Sequence, residues 1–493
     1  MSLVLDAVAR HARERPETRA LHGAGSSLSW RELATEIVAV AAGLDRGLQG
    51  MSPDAPVAVA LDNGPAWVVV DLALMSLGRP ALPLPGFFTA DQGRHALADA
   101  GACLIVRPAT RADAMPLMAA GAALAATPTG LPPRALHPGA AKITYTSGST
   151  ATPKGVCLSL AQMEATGAAL VEAIGIEFAG DHLAVLPLGV LLENVAGLYP
   201  TLLAGGAYHA PGLADLGFGD GLRADMARMA GVIRTRGISS LILTPELLRG
   251  LAAHLLAEGL RLPSLKLAAV GGAKISPGLL AAARAAGLPA YEGYGLSECA
   301  SVVALNTPAA DRPGTVGRVL PHLSVSIAGD GEVVVGPDAF LGYVGGPPRS
   351  GPLQTGDLGS IDADGFLAID GRKSNLLITA FGRNVSPEWV ESELAAEPEI
   401  GQAAVFGEAA RDLCAVVVPG RAEVPAEAIQ AAIDRANRRL PVYAHVGRWT
   451  LSAPFALARG ELTANGRLRR AAIHETHRTF IDNLSRPSDA LFR

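Results

Sequence analysis

Short apolar runs alternate with longer segments of helical character between about residues 56 and 292. Each run spans four or five residues between polar or turn-forming positions, as expected for buried strands. Strands that alternate with helices in this way predict an α/β fold with mainly parallel sheets. The predicted strands are Val57–Leu61, Cys103–Val106, Leu183–Leu186, Leu241–Thr244 and Leu267–Val270.

The pattern changes twice further along the chain. Residues 314–370 are rich in glycine, proline and short Val/Ile runs such as Glu332–Val335, which predicts a β-rich subdomain joined by turns. A helix is then predicted to begin after Ser386, which is a suitable N-cap before proline and an acidic residue. Further predicted elements are strands Gln402–Phe406 and Cys414–Pro419 and a helix from Ala426 to Arg438.

These changes predict two domains. A chain of 493 residues exceeds the roughly 250–300 residues that usually share one hydrophobic core. We therefore predict a large N-terminal domain over residues 1–371, built of several subdomains, and a small α+β C-terminal domain over residues 372–493, connected by a hinge.

Composition excludes several classes of protein. The longest apolar candidate, Ala66–Leu74, is broken by Asp71 and is too short for the roughly 20 residues of a transmembrane helix. The N-terminus lacks a signal-peptide pattern, so we expect a soluble cytoplasmic protein. Four scattered cysteines without a C-x-x-C pair argue against zinc or disulfides, and a net charge of -5 without a basic tract argues against nucleic acid as a partner.

The most specific motif is a hydroxyl- and glycine-rich loop, Ile143-Thr-Tyr-Thr-Ser-Gly-Ser-Thr-Ala-Thr-Pro-Lys-Gly155. Its N–H groups, hydroxyls and single ammonium group suit a polyphosphate. It differs from the Walker pattern because Lys154 lies between proline and glycine. A strand and then a helix should follow, the helix beginning where Ser159 and Gln162 have capping-box spacing. The candidate phosphate-binding residues are Thr146, Ser147, Gly148, Ser149, Thr150 and Lys154.

The full loop resembles the phosphate loop of the adenylate-forming superfamily, the AMP-dependent synthetases and ligases. Three further motifs match this superfamily in its order along the chain, and the resemblance runs from about Leu28 to Arg470. Within this superfamily, the chain most resembles the bacterial acyl-CoA synthetases. Ala151 replaces the glycine that usually follows the Thr pair, a change that restricts the backbone of the loop.

The resemblance implies roles for the residues of these motifs. In Glu292-Gly-Tyr-Gly-Leu-Ser-Glu298, Tyr294 would stack on adenine beside Gly295, Ser297 would bind the α-phosphate and Glu298 would hold Mg²⁺. In Thr355-Gly-Asp357 the aspartate would accept hydrogen bonds from the ribose, which Arg372 of Gly371-Arg372 would also reach. The segment Val270-Gly-Gly-Ala-Lys274, with Gly271, Gly272 and Ala273, resembles the loop that lines the adenine pocket.

The chain departs from the family at the position of a catalytic lysine. In the family this lysine bridges the attacking carboxylate and the α-phosphate of ATP during the first step. The matching string here, Gly460-Glu-Leu-Thr-Ala-Asn-Gly-Arg-Leu-Arg469, carries Arg467, and no lysine follows Lys373. Arginine keeps the positive charge but is larger and planar. We therefore predict that Arg467 is the catalytic cation and that Lys154 and Glu298 are the other catalytic residues.

Two other departures concern the hinge and the acyl pocket. Ser374 stands where the hinge of the family usually has a charged residue, and Val190 stands where relatives often have histidine. The pocket should therefore be apolar, although each of these side chains is equally explained as part of a helix core. The residues on the predicted wall are Val190, Leu191, Leu192, Val195, Ala196 and Gly197.

The resemblance implies an acid–thiol ligase. It would use ATP and Mg²⁺ to convert a medium- or long-chain fatty acid, or a related apolar acid, to acyl-AMP, and would then form a thioester with CoA. One alternative is an acyl-AMP ligase that loads an acyl carrier protein. The other is a homologue that binds nucleotide or acyl-adenylate but has lost adenylation together with the lysine.

Overall fold

The computed structural model describes residues 2–482 except 112, 114–115, 147–152, 220–223, 338, 381, 422 and 464–466. Two large sheets organise the first two thirds of the chain, and their central strands are parallel while antiparallel strands lie toward the edges. The predicted α/β fold is therefore confirmed, and both sheets are mixed. One sheet contains, in spatial order, Arg318–Val319, Ala304–Leu305, Ala290–Tyr294, Leu267–Val270, Ser240–Leu243, His182–Leu183, Tyr208–His209, Arg19–His22 and Ser27–Ser29.

The second sheet carries the strand pair that flanks the hydroxyl-rich loop. Its antiparallel neighbours Ala140–Thr146 and Lys154–Ser159 bring Thr146 opposite Lys154. The sheet contains, in spatial order, Gly342–Tyr343, Lys154–Ser159, Ala140–Thr146, Ala81–Pro83, Val57–Val59, Leu104–Pro108, Ala122–Pro128 and Leu117–Ala119.

Helices cover the faces of both sheets. The capping box predicted for one of them is present: Ser159 and Gln162 cap the helix Leu160–Ile174 reciprocally. The helices of this part are Leu3–Glu14, Trp30–Gly47, Pro65–Ser76, Ala90–Ala100, Leu160–Ile174, Leu191–Glu193, Tyr199–Ala204, Met226–Arg236, Pro245–Ala257 and Pro277–Ala285, with a π-helical turn at Asn194–Leu198.

Three predicted strands prove too long at their C-terminal ends. The strand predicted to reach Leu61 ends at Val59, and the other two end early for local reasons. The strand predicted to reach Leu186 ends at Leu183, because the Leu186 N–H donates to the Glu193 carboxylate at 3.1 Å instead of to a neighbouring strand. The strand predicted to reach Thr244 ends at Leu243, because the Thr244 hydroxyl caps the next helix.

An antiparallel sheet of four strands forms the predicted β-rich region. Its last two strands pair so that Asp357 lies directly opposite Arg372. The strands are Val325–Ile327, Glu332–Val335, Leu353–Ile361 and Leu367–Arg372.

The C-terminal part contains a three-stranded sheet packed on helices. Ser386 caps the helix Pro387–Ala395 as predicted, and Val405, Val417 and Ile433 lie in a core shared by sheet and helices. The division near residue 371 remains a prediction. The elements are Leu377–Ile378 paired with Asn384–Val385, helices Pro387–Ala395, Ala426–Asn437, Arg470–Thr476 and Arg478–Asp482, and strands Ile400–Phe406, Leu413–Pro419 and Val446–Leu451.

The apolar segment around Asp71 is a buried helix rather than a surface one. In the helix Pro65–Ser76, Asp71 forms an ion pair with Lys142 at 2.8 Å, and each side chain is 2% exposed. Asn194 and Tyr199 complete this polar cluster within the core. Across the part of the chain that the structure describes, no helix combines the length and apolar character needed to span a membrane.

Candidate active site

Lys154 is the first residue of the second strand of the pair that flanks the hydroxyl-rich loop. Lys154 is exposed, and its Nζ lies 5.5 Å from the ring centroid of Tyr343. Thr146, at the end of the opposite strand, is half-buried. The remaining candidates of this loop, Ser147, Gly148, Ser149 and Thr150, lie outside the described residues.

Tyr343 connects this lysine to the predicted metal-binding carboxylate. Its hydroxyl donates to Glu298 Oε1 at 2.8 Å, and burial, together with the charge of Glu298, raises the pKa of Tyr343. The phenol therefore stays protonated and acts as a donor. Sequence reasoning missed Tyr343, because it lies in a two-residue edge strand that reaches the site only through pairing with Val156.

The segment from Tyr294 to Ser301 is a tight turn that requires its glycine. A Cβ at Gly295 would lie 1.6 Å from the Ser301 carbonyl oxygen. Ala300 and Ser301 adopt positive φ angles of 51° and 100°, which are costly for residues with a Cβ. The turn places Ser297 and Glu298 on a short 3₁₀ helix directly after the strand that ends in Tyr294.

Tyr294, Asp357 and Arg372 form a connected cluster. The Tyr294 hydroxyl donates to Asp357 Oδ2 at 2.6 Å, and Arg372 Nε lies 2.7 Å from Asp357 Oδ1. Burial raises the pKa of Asp357, while Arg372 and Tyr294 oppose that shift. The sequence placed these three residues on separate motifs, and the structure brings them together. An aromatic ring beside a buried carboxylate is suited to a nucleoside.

The glycine loop lies beside this cluster. Gly272, with φ 91°, and Ala273 are exposed after the strand Leu267–Val270, whereas Gly271 is buried. A Cβ at Gly271 would lie 3.8 Å from Leu192 Cδ2, so the loop lies next to the predicted pocket wall.

Arg467 reaches the same cleft from the C-terminal part of the chain. Its Nε donates to the Gly272 carbonyl at 3.3 Å, and Thr463 holds the turn through hydrogen bonds to the backbone N–H and carbonyl of Arg467. Arg467 is exposed to solvent. Desolvation by the surrounding protein, followed by repulsion from Arg372, lowers the pKa of Arg467, whereas Asp357 and Glu298 oppose the shift.

A buried carboxyl group next to this site was also missed. Glu292, two residues before Tyr294, is 7% exposed, and burial raises its pKa to about 8. Its charged neighbour Lys274 is itself desolvated, so that the pKa of Lys274 is lowered. The Lys274 ammonium donates to the Ile369 carbonyl at 2.6 Å.

The donors fit a magnesium ion that arrives with a nucleotide. Among the described residues, no group of three or more His, Cys, Asp or Glu side chains is arranged to hold a metal. Glu298 is a single carboxylate with one oxygen engaged by Tyr343. Mg²⁺ is commonly bound by one or two carboxylates together with phosphates and water.

Comparisons with known proteins agree with this arrangement. The family described as AMP-binding enzyme matches residues 8–344, and the AMP-binding enzyme C-terminal domain matches residues 374–488. The chain is 28% identical over 433 residues to feruloyl-CoA synthase of Amycolatopsis sp., which covers 81% of this chain and 84% of that protein.

Two further likenesses concern a shorter segment and the fold. Over 146 residues the chain is 44% identical to the long-chain-fatty-acid–CoA ligase FadD15 of Mycobacterium bovis, covering 28% of this chain and 24% of that one. The solved structure of o-succinylbenzoate coenzyme A synthetase from Bacillus subtilis in complex with ATP and magnesium superimposes with a TM-score of 0.74 at 21% identity, covering 94% and 98% of the two chains. The chain belongs to the AMP-binding enzyme family and is an AMP-forming acid–thiol ligase.

Proposed function

We propose that this ligase activates a medium- or long-chain fatty acid, or a related apolar acid, and transfers the acyl group to CoA in the cytoplasm. The observation that carries the acid class is the apolar surface beside the glycine loop. Leu192 and Ala196, one helical turn apart, are the half-buried members of the predicted wall between residues 191 and 197. Both pack against a cluster formed by Ala169, Leu170, Val302, Leu305 and Leu320.

Other residues of the predicted wall have a structural role. Leu191, Val195 and Gly197 are buried, and a Cβ at Gly197 would lie 2.4 Å from Glu193 Oε1. Val190 is half-buried, like Leu192 and Ala196. We therefore expect the acyl group to meet these three side chains, and apolar contact there favours hydrocarbon over charged groups.

The nucleotide would extend from the glycine loop to the phosphate loop. Tyr294, Gly271, Gly272 and Ala273 would surround the adenine, and Asp357 and Arg372 would contact the ribose. Ser297 and the loop from Thr146 to Lys154 would hold the phosphates. Glu298 would bind Mg²⁺, which neutralises phosphate charge when it is present.

The reaction has two balanced steps. A carboxylate oxygen attacks the α-phosphorus of ATP, which forms acyl-AMP and releases pyrophosphate. The CoA thiol loses its proton and its sulfur attacks the acyl carbon, which forms the thioester and releases AMP. The first step brings two anions together, so it depends on positioned cations.

Arg467 is suited to be one of these cations. Within the described residues no carboxylate lies in salt-bridge contact with it, and Arg372 already engages Asp357. Within the described residues Arg467 thus has no directly paired carboxylate in the cleft, and an incoming carboxylate and phosphate would supply its partners. A guanidinium can donate to both groups at once.

The test is pyrophosphate release with Mg-ATP and a panel of acids. We expect release to depend on apolar acids and to rise with chain length. Supplying CoA or an acyl carrier protein to the adenylate then identifies the acceptor. Transfer to the carrier protein alone would replace CoA by the alternative acceptor.

Variants of Arg467 separate an active ligase from an impaired homologue. We expect Arg467→Ala to slow pyrophosphate release by about 10²–10³-fold, as for loss of one oxyanion donor. Arg438→Ala, at an exposed position in the C-terminal part, should match the wild type. A wild-type protein that binds ATP without acid-dependent release, and regains it in Arg467→Lys, would establish the impaired homologue instead.

A further inference from the structure

One arginine of the N-terminal part holds the C-terminal part through three hydrogen bonds. Arg249 Nη1 donates to the carbonyls of Ala395 and Ile400, each at 2.9 Å, and its Nη2 donates to the Gly401 carbonyl at 2.8 Å. The three acceptors lie at the end of the helix Pro387–Ala395 and the start of the strand Ile400–Phe406. One side chain thus binds both ends of the connection between this helix and this strand.

The buried guanidinium of Arg249 depends on carbonyl acceptors that the C-terminal part supplies. Burial lowers the pKa of Arg249, so the guanidinium is desolvated, and its hydrogen-bond partners are neutral carbonyl groups. A desolvated charge is tolerated only where several well-placed acceptors replace water. The C-terminal end of a helix is such a place, since its last carbonyls lack helical partners and carry partial negative charge.

The same structural unit also contacts Arg467. Arg249 lies on the helix Pro245–Ala257, which connects the parallel strands Ser240–Leu243 and Leu267–Val270. Gly272, which accepts the hydrogen bond from Arg467, lies two residues beyond the second strand. The C-terminal part is therefore attached to one strand–helix–strand unit at two separate points.

We infer that Arg249 is a positioning residue for adenylate formation. Its three hydrogen bonds fix the C-terminal part in the orientation that places Arg467 beside Asp357 and Glu298. The inference rests on the role proposed above for Arg467. Arg249 itself bonds to the C-terminal part and not to the cluster of Tyr294, Asp357 and Arg372, so it acts only through the position of Arg467.

This role predicts an unequal effect on the two steps. Without Arg249, Arg467 would be in place for a smaller fraction of the time, so the kcat of adenylate formation should fall at least tenfold while the KM for ATP changes little. Transfer from supplied acyl-AMP to CoA needs no bridge between carboxylate and α-phosphate. Its rate should stay within about twofold of the wild type.

The experiment compares Arg249→Ala, Arg249→Lys and the control Arg236→Ala in the full chain. Arg236 likewise donates to a backbone carbonyl, that of Gly23, but within the N-terminal part. We expect Arg249→Lys to be intermediate, because one ammonium cannot reproduce the fork. Arg236→Ala should leave both steps unchanged. Small-angle X-ray scattering should show a larger radius of gyration for Arg249→Ala than for the wild type or the control.

The outcomes separate this inference from the proposed function. Equal losses in both steps, or wild-type adenylation in Arg249→Ala, would overturn the role of Arg249. If the wild type itself shows no acid-dependent pyrophosphate release, the proposed function fails. Scattering then decides the inference: expansion of Arg249→Ala alone supports the docking role, and an unchanged radius refutes it. Melting temperatures verify that each variant is folded.

Discussion

The ion pair between Asp71 and Lys142 yields the sharpest prediction about stability. Both side chains are almost fully enclosed, 2.8 Å apart. Lys142 also donates to Asn194 and Tyr199, and both of these residues donate to Asp71. The perturbation is a double-mutant cycle of Lys142→Met, Asp71→Asn and both together. Lys266→Met, at an exposed lysine, is the control.

The expected magnitude follows from distance and burial. At 2.8 Å and an effective dielectric constant of about 20, the Coulomb attraction is about 6 kcal/mol, much of which is offset by desolvation. Each single variant leaves its partner buried and unpaired, which should cost about 3–5 kcal/mol. The double variant removes both charges and should lose less stability than either single variant.

Urea unfolding followed by tryptophan fluorescence measures this effect. Trp67 is a local probe, since Lys142 Nζ lies 5.7 Å from the centroid of its ring. We expect the unfolding midpoint to fall for both single variants, to recover in the double variant, and to be unchanged for Lys266→Met. Agreement with circular dichroism would establish that a single transition is observed. Losses that simply add in the double variant would refute the reasoning.

Three further predictions concern the active site. Because the folded pKa of Glu292 is raised to about 8 from 4.5, its contribution to stability is present at low pH and lost as pH rises through 8. This loss amounts to roughly 2–3 kcal/mol between pH 6 and 9. Lys274, with a lowered pKa, changes stability with pH in the opposite direction. Thermal melts should therefore compare wild type with Glu292→Gln across this pH range. The same pH profile in both proteins would contradict the contribution of Glu292. Tyr294→Phe removes a 2.6 Å hydrogen bond to Asp357 and should raise the KM for ATP severalfold, whereas Tyr291→Phe should not. Gly295→Ala would place a methyl group 1.6 Å from a carbonyl oxygen and should abolish adenylation. The control Gly231→Ala, in open space, should be neutral. An active Gly295→Ala enzyme would contradict the claim that this turn requires glycine.

The class of fold could be predicted because strands and helices are encoded locally. The periodicity of apolar residues identified the strands at Leu267–Val270 and Glu332–Val335 with the bounds that the structure shows. Capping residues such as Ser159 and Ser386 marked helix starts correctly. The ends of other strands were missed, because Glu193 and Thr244 compete for backbone groups in ways that periodicity does not reveal.

The chemistry of the site could be predicted in part. The residues that must approach a nucleotide recur as contiguous motifs, so the sequence alone predicts Tyr294, Asp357 and Arg372 as site residues. The assigned roles, including that of Arg467, remain predictions. Tyr343 could not be found in this way, because nothing in its neighbouring sequence indicates that its hydroxyl meets Glu298.

The sequence by itself determined the kinds of elements, the family of motifs and the replacement of lysine by Arg467, since these depend on residues near each other in the chain. Only the tertiary structure decided which distant groups become partners: Asp71 with Lys142, Tyr343 with Glu298, and Arg249 with the carbonyls of residues 395–401. The physical reason is that a buried charge or donor is stable only beside a partner that packing brings to it. That partner can lie more than a hundred residues away.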